Sequence, residues 1–182
     1  MKRFILTGAP GAGKTAILRQ LELDGFSVVE EAATDIIALW QAQGVAEPWM
    51  LPSFIDAIAS LQRQRQLRRV AGPDELEFHD RSAICTAALA TYLDYPASEL
   101  LSRELERILS GNIFEKRVFF IRNLGSIKPT EARRISWEES LRFERIHEES
   151  YRRFGFETIN IEPGTVSERV ASIRQHISSQ TS

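Results

Sequence analysis

Gly8-Ala9-Pro10-Gly11-Ala12-Gly13-Lys14-Thr15 is the segment of this sequence whose residue types and spacing carry the most explicit chemistry. It fits G-x-x-x-x-G-K-S/T, the Walker A pattern, in which glycines let the backbone curl around a phosphate with amide hydrogens pointing inward. Lys14 is expected to reach the β and γ phosphates, and the Thr15 hydroxyl to ligate magnesium. The helix that follows adds the partial positive charge of its N-terminus. Gly8, Ala9, Pro10, Gly11, Ala12, Gly13, Lys14, Thr15 and Ala16 are therefore the expected binding residues for a nucleoside triphosphate, ATP, with Mg2+.

Moving a phosphoryl group also requires a metal anchor, a group that orients the nucleophile, and cations over the transferred phosphoryl. Asp80 follows an apolar run and is a candidate magnesium anchor beside Thr15; the competing role is capping of the helix that begins after it. Arg81 can reach into an acceptor pocket. Glu30 and Glu31 close another apolar run, and one of them, Glu31 in the assignment preferred here, can position an acceptor hydroxyl or take its proton. The alternative is a pair of acids favoured in the first turn of the next helix. Arg133 and Arg134, with Lys128 nearby, lie where a lid could bring cations over a triphosphate, although solvated loop arginines are ordinary.

Other groups read as less specific. Arg63, Arg65, Arg68 and Arg69 are best explained as a solvated helix face, with phosphate or partner binding second. His79, His147 and His176 lack metal-ligand spacing and are expected to be structural or exposed. Cys85 is expected to pack rather than to act as a nucleophile.

The elements that must position these residues follow from periodicity. Five apolar runs, at Phe4–Thr7, Phe26–Glu30, Leu76–His79, Arg117–Ile121 and Phe156–Ile161, alternate with helical stretches. Helices are expected over 14–23, 32–43, 53–70 (with Ser53 as N-cap), 82–93, 98–109 and 136–154, and over a last one opened by the Thr165–Glu168 capping box. The aperiodic stretch 123–135 reads as a lid segment. Strand and helix alternating in this way imply an α/β, three-layer fold with a five-stranded parallel sheet and helices on both faces, in one domain over 1–182. Ligands bind such sheets at the carboxyl ends of the strands.

Composition agrees and excludes several classes. The chain has 182 residues, 43% hydrophobic and 26% charged, enough to bury a core without disulfides or a structural metal. Its formal net charge of −2 argues against nucleic acid or an anionic membrane held through bulk charge. A single cysteine and an N-terminal apolar run too short for a signal peptide or a membrane span point to the cytoplasm.

The phosphate loop, Glu30-Glu31-Ala32-Ala33, Phe78-His79-Asp80-Arg81-Ser82, and the stretch from Arg133 through Trp137 to Tyr151 and Gly155 together resemble the AAA-type ATPase domain family of small P-loop predicted kinases. That family is similar to the ribosylnicotinamide kinase domain of the bacterial NAD regulator and, more distantly, to nucleoside and nucleotide kinases. The resemblance implies a P-loop NTPase fold of the nucleoside/nucleotide-kinase kind. It also implies matching roles for Glu31, Asp80, Arg81 and Arg133. Many members have an arginine where this chain has Thr34 and an aspartate where it has Cys85. The implied function is Mg-dependent transfer of the ATP γ-phosphoryl group to an unidentified nucleoside- or nucleotide-like acceptor. The alternatives are a nucleotide-binding ATPase or switch controlling a protein partner and, third, an NTPase acting within a toxin or defence system. A homodimer is compatible with each reading.

Overall fold

Phe4, Ile5 and Leu6 are apolar at consecutive positions, a pattern that leaves a strand no face to turn to water. A computed structural model, describing residues 1–68, 76–123 and 137–178, places them in strand β1 (Lys2–Thr7) at the centre of a five-stranded parallel sheet. The order is β2-β3-β1-β4-β5, with β2 at Ser27–Val29, β3 at Leu76–Asp80, β4 at Arg117–Ile121 and β5 at Glu157–Ile161. In register, Leu6 lies opposite Asp80 on one side and Phe119 on the other. The carboxyl ends of β1, β3 and β4 therefore finish at one edge, and β1 gives way there to the glycine-rich loop.

Side chains alternate across this sheet and so define two cores. Phe4, Leu6, Phe78, Phe119 and Ile121 pack with α1 (Lys14–Leu23) and α7 (Val166–Ser178). Ile5 and Val118 point the other way, against α3 (Ser53–Leu67), α4 (Ala83–Tyr92), α5 (Glu99–Ser110) and α6 (Trp137–Arg153). A satellite cluster joins α2 (Ala33–Ala42) to α3 through Ile36, Phe54 and Ile58. Each of these fully buried aliphatic or aromatic side chains contributes about 1.5–3 kcal/mol. The expected three-layer α/β architecture is the one found. Among the described residues, no helix is long and apolar enough to cross a membrane.

Element ends differ from expectation in three places, each with a local cause. β2 is shorter than 26–30: the Phe26 amide turns back to Leu21 O and closes α1, while Arg65 takes the carbonyls of Glu30 and Glu31 out of the ladder. Ser53 is not an N-cap but the first residue of α3, because Pro52 before it is already helical (φ −54°, ψ −32°). Asp80 does not follow β3; it ends it, paired with Leu6. The Ser82 and Ser98 hydroxyls cap α4 and α5, accepting from Ile84 N at 3.2 Å and Leu101 N at 3.0 Å. The Thr165–Glu168 capping box opens α7, with Thr165 N donating to Glu168 Oε2 at 2.8 Å and Glu168 N to Thr165 Oγ1 at 3.3 Å. Arg69, Val70 and the expected lid from residue 124 onward, with Lys128, Arg133, Arg134 and Ser136, lie outside the described residues.

Candidate active site

The glycine-rich loop leaves β1 by a route only glycine can follow. Gly8 has φ +131°, and a Cβ there would stand 2.3 Å from Ile121 O at the end of β4. The loop is thereby pressed against the sheet edge. It leads into α1, which has no side-chain cap and no acid in its first turn. That helix N-terminus therefore offers its amides and its positive end to an anion. Lys14 is buried, and its ammonium donates to the loop's own Gly8 O at 3.1 Å and Ala9 O at 2.9 Å. Burial, reinforced by the Arg81 charge, lowers its pKa to about 8. Carbonyls are weak partners for an ammonium, so an anion in the loop would be a stronger one. Thr15 and Ala16 open the helix with exposed side chains.

Beside the loop, Asp80 is 4% exposed, and its Oδ1 has no hydrogen-bond partner among the described residues. Burial raises its pKa, and Lys14 opposes that shift. An orphaned, buried carboxylate oxygen fits a hard cation that takes oxygen ligands and keeps much of its water. Among the described residues no cluster of three or more acids, histidines or cysteines forms a self-sufficient metal cage. An ion held at Asp80 would therefore need phosphate and water to complete its ligands.

Arg81 occupies the left-handed backbone region at φ +73°, a conformation costing of order 1–3 kcal/mol for a residue other than glycine. Its amide still extends the ladder to Leu6 O at 3.0 Å. Its buried Nε donates to Glu31 Oε1 at 2.6 Å, and its guanidinium stands 5.7 Å from the centre of the Phe143 ring. Burial works against this charge, but Glu31 above all restores it and raises the pKa. Burial likewise opposes ionisation of Glu31, yet Arg81, Lys14 and the Thr34 hydroxyl at 2.7 Å hold its carboxyl below the usual range. Glu31 remains a quarter exposed. The structure thus brings Lys14, Glu31, Asp80 and Arg81 to one edge. Glu30 points away, to Arg19 on the surface.

Two further residues belong to this edge. His147 on α6 is fully buried, and its Nδ1–H donates to Phe143 O at 2.9 Å. Nε2 is then a free acceptor facing Arg81 Nη1 at 3.4 Å. Burial, followed by the Arg81 charge, pushes His147 well below the usual imidazole pKa, so the ring is neutral. The spacing of Ser140, Phe143, His147 and Tyr151 on a single helix face was the signal that could have revealed it. Arg65 was the other residue missed: instead of being solvated, it grips the Glu30 carbonyl at 3.1 Å, the Glu31 carbonyl and the Asp35 carboxylate. Nothing in the sequence separates it from Arg63 and Arg68, which are exposed. Cys85 is buried, as expected, between Thr7 Oγ1 at 3.2 Å and Tyr151 Oη at 3.0 Å. His79 is structural, bonded to Glu77 Oε1 at 2.7 Å.

A family model described as an AAA domain (AAA_28) matches residues 3–169. No curated protein sequence matches. Among solved structures, the deoxyadenosine kinase from M. mycoides, with dCMP products and a flexible dCDP bound, superposes with a TM-score of 0.67 at 14% identity over 97% of this chain and 98% of its own. NadR in complex with NR gives 0.70 at 19% identity over 95% of this chain, which spans 50% of the NadR chain. Shikimate kinase from Acinetobacter baumannii, with shikimate bound, gives 0.63 at 17% identity over 99% of this chain and 94% of its own. At these identities the likeness establishes the fold, a P-loop kinase fold, in agreement with the resemblance carried by the sequence motifs.

Proposed function

Because this chain belongs to the AAA domain family, we propose that its edge of Lys14, Glu31, Asp80 and Arg81 makes it a Mg2+- and ATP-dependent kinase acting on a small hydroxyl compound of the nucleoside or nucleotide kind. The observation that carries the reading is the convergence of an uncapped, glycine-lined helix N-terminus with a buried, unpartnered Asp80 oxygen and an ionised Glu31 at the carboxyl ends of parallel strands.

In this reading residues 8–16 hold the triphosphate, with Lys14 turning from its own carbonyls to the phosphates. Asp80 and Thr15 hold magnesium, which supplies neutralisation of phosphate charge. Glu31 accepts a hydrogen bond from the acceptor hydroxyl and aims its oxygen at the γ-phosphorus. The new O–P bond forms as the bond to the ADP oxygen breaks, and the hydroxyl proton passes to the Glu31 carboxylate. A carboxyl held this far toward its ionised form is a weak base, so Glu31 mainly orients and accepts the proton late, as a loose transition state permits. Arg81 fixes the Glu31 carboxylate through the 2.6 Å bond. Arg133 and Arg134 are proposed as the cations over the transferred group.

The test is incubation with magnesium ATP and a pool of nucleosides, nucleotides and ribosylnicotinamide, followed by mass spectrometry for an acceptor that gains a phosphoryl mass. Lys14→Ala should abolish the product. ATP binding without any transferred phosphoryl would transfer the assignment to a nucleotide-controlled switch.

A further inference from the structure

Arg169 sits in the first turn of α7 and is 3% exposed, yet among the described residues its guanidinium forms no ion pair with a carboxylate. Nη1 donates to Ala12 O at 2.5 Å, Nη2 to Arg122 O at 2.6 Å, and Nε to Glu162 O at 3.0 Å. Three segments that end at the nucleotide edge are thus tied to one cation: the glycine-rich loop, the exit from β4 and the exit from β5. Contact with the loop is close, since a Cβ on Gly13 would stand 3.2 Å from Nη1. Carbonyl dipoles solvate a guanidinium without cancelling its charge, whereas the other buried or half-buried arginines described at this edge face a carboxylate: Arg81 with Glu31, Arg65 with Asp35, Arg122 with Glu144. Burial lowers the Arg169 pKa, and the Glu162 charge only partly opposes it.

We propose that Arg169 is a positioning residue whose incompletely compensated charge lies behind the phosphate loop, and that the polyphosphate of the nucleotide completes its counter-charge. The guanidinium holds the Ala12 carbonyl turned away from the ligand, which leaves the loop's amides facing the phosphates, and it adds a second buried cation to that of Lys14. This inference rests on the loop being a triphosphate site, as proposed above.

The test compares Arg169→Gln, which keeps a donor but loses the charge, with Arg169→Lys, which keeps the charge but loses the three-way fork. Each would be titrated calorimetrically with inorganic tripolyphosphate and melted with and without it. Arg169→Gln should bind tripolyphosphate about tenfold more weakly or worse, with a smaller ligand-induced rise in melting temperature, while Arg169→Lys recovers most of the affinity. Wild-type affinity in Arg169→Gln would overturn the proposal. So would equal losses in both variants, or a glutamine variant that is unfolded without ligand, because each means that the side chain only cements the fold. If the wild-type protein itself binds no tripolyphosphate, the triphosphate reading of the loop is what fails.

Discussion

Asp80 is costly to the fold as a charge and valuable to the proposed site for the same reason. Its carboxyl is buried, one oxygen has no partner, and burial lifts its pKa, so ionisation at neutral pH weighs against the folded state. Asp80→Asn removes that charge without changing shape. Magnesium-dependent turnover should fall by about two orders of magnitude or more, while the melting temperature of the ligand-free protein should equal or exceed wild type. Unchanged turnover, or a clear loss of stability, would remove Asp80 from the site. At this scale the sequence was legible wherever chemistry restricts residue choice: the loop pattern singled out Lys14, and the acids and arginine at the ends of two apolar runs singled out Glu31, Asp80 and Arg81, which the structure brings to the same edge. It was uninformative about His147, because a neutral histidine accepting from Arg81 is written with the same letter as an exposed one.

Elements were legible from their punctuation. Gly25, Gly44, Gly111 and Gly155 follow four helices, and Ser82 and Ser98 cap two. The ends that departed from expectation did so through contacts distant in sequence, which no local pattern encodes. Arg65 is the clearest case, since α3 reaches across 34 residues to hold the Glu31 carbonyl. Its effect on the proposed chemistry runs through the backbone: by fixing the turn between β2 and α2, it fixes the direction in which Glu31 leaves it. Arg65→Lys keeps the charge near Asp35 but cannot fork to two carbonyls and a carboxylate. It should lower kcat about tenfold and leave the KM for ATP near wild type, as steady-state kinetics with the identified acceptor would show. A rise in the KM for ATP with unchanged kcat would place the role of Arg65 elsewhere.

For the molecule as a whole, α/β alternation in the sequence was enough to give a parallel sheet, while the strand order came only from the three-dimensional pairing. Stability against acid is also a property of the whole fold. His147 and His79 are both buried and both have lowered pKa values, through burial first, with Arg81 adding to it at His147 and Glu77 resisting it at His79. Below the ordinary imidazole value of 6.5 the unfolded chain takes up protons that the folded chain refuses. Their contribution is therefore complete above that pH and is lost as the pH falls through it. The melting temperature should decline from pH 6.5 to 5. His147→Gln, whose amide oxygen can still accept from Arg81, should flatten that decline; an equally steep profile in the variant would rule His147 out as its source. The central position of β1 has a further consequence, in the order of synthesis. Ile5 pairs with His79 and Val118, so this strand leaves the ribosome before both of its neighbours and waits for them. At roughly 5–20 residues per second that delay is on the order of ten seconds. During it, the nascent chain carries Phe4-Ile5-Leu6 without the two strands that later flank them, at the very segment that leads into the glycine-rich loop.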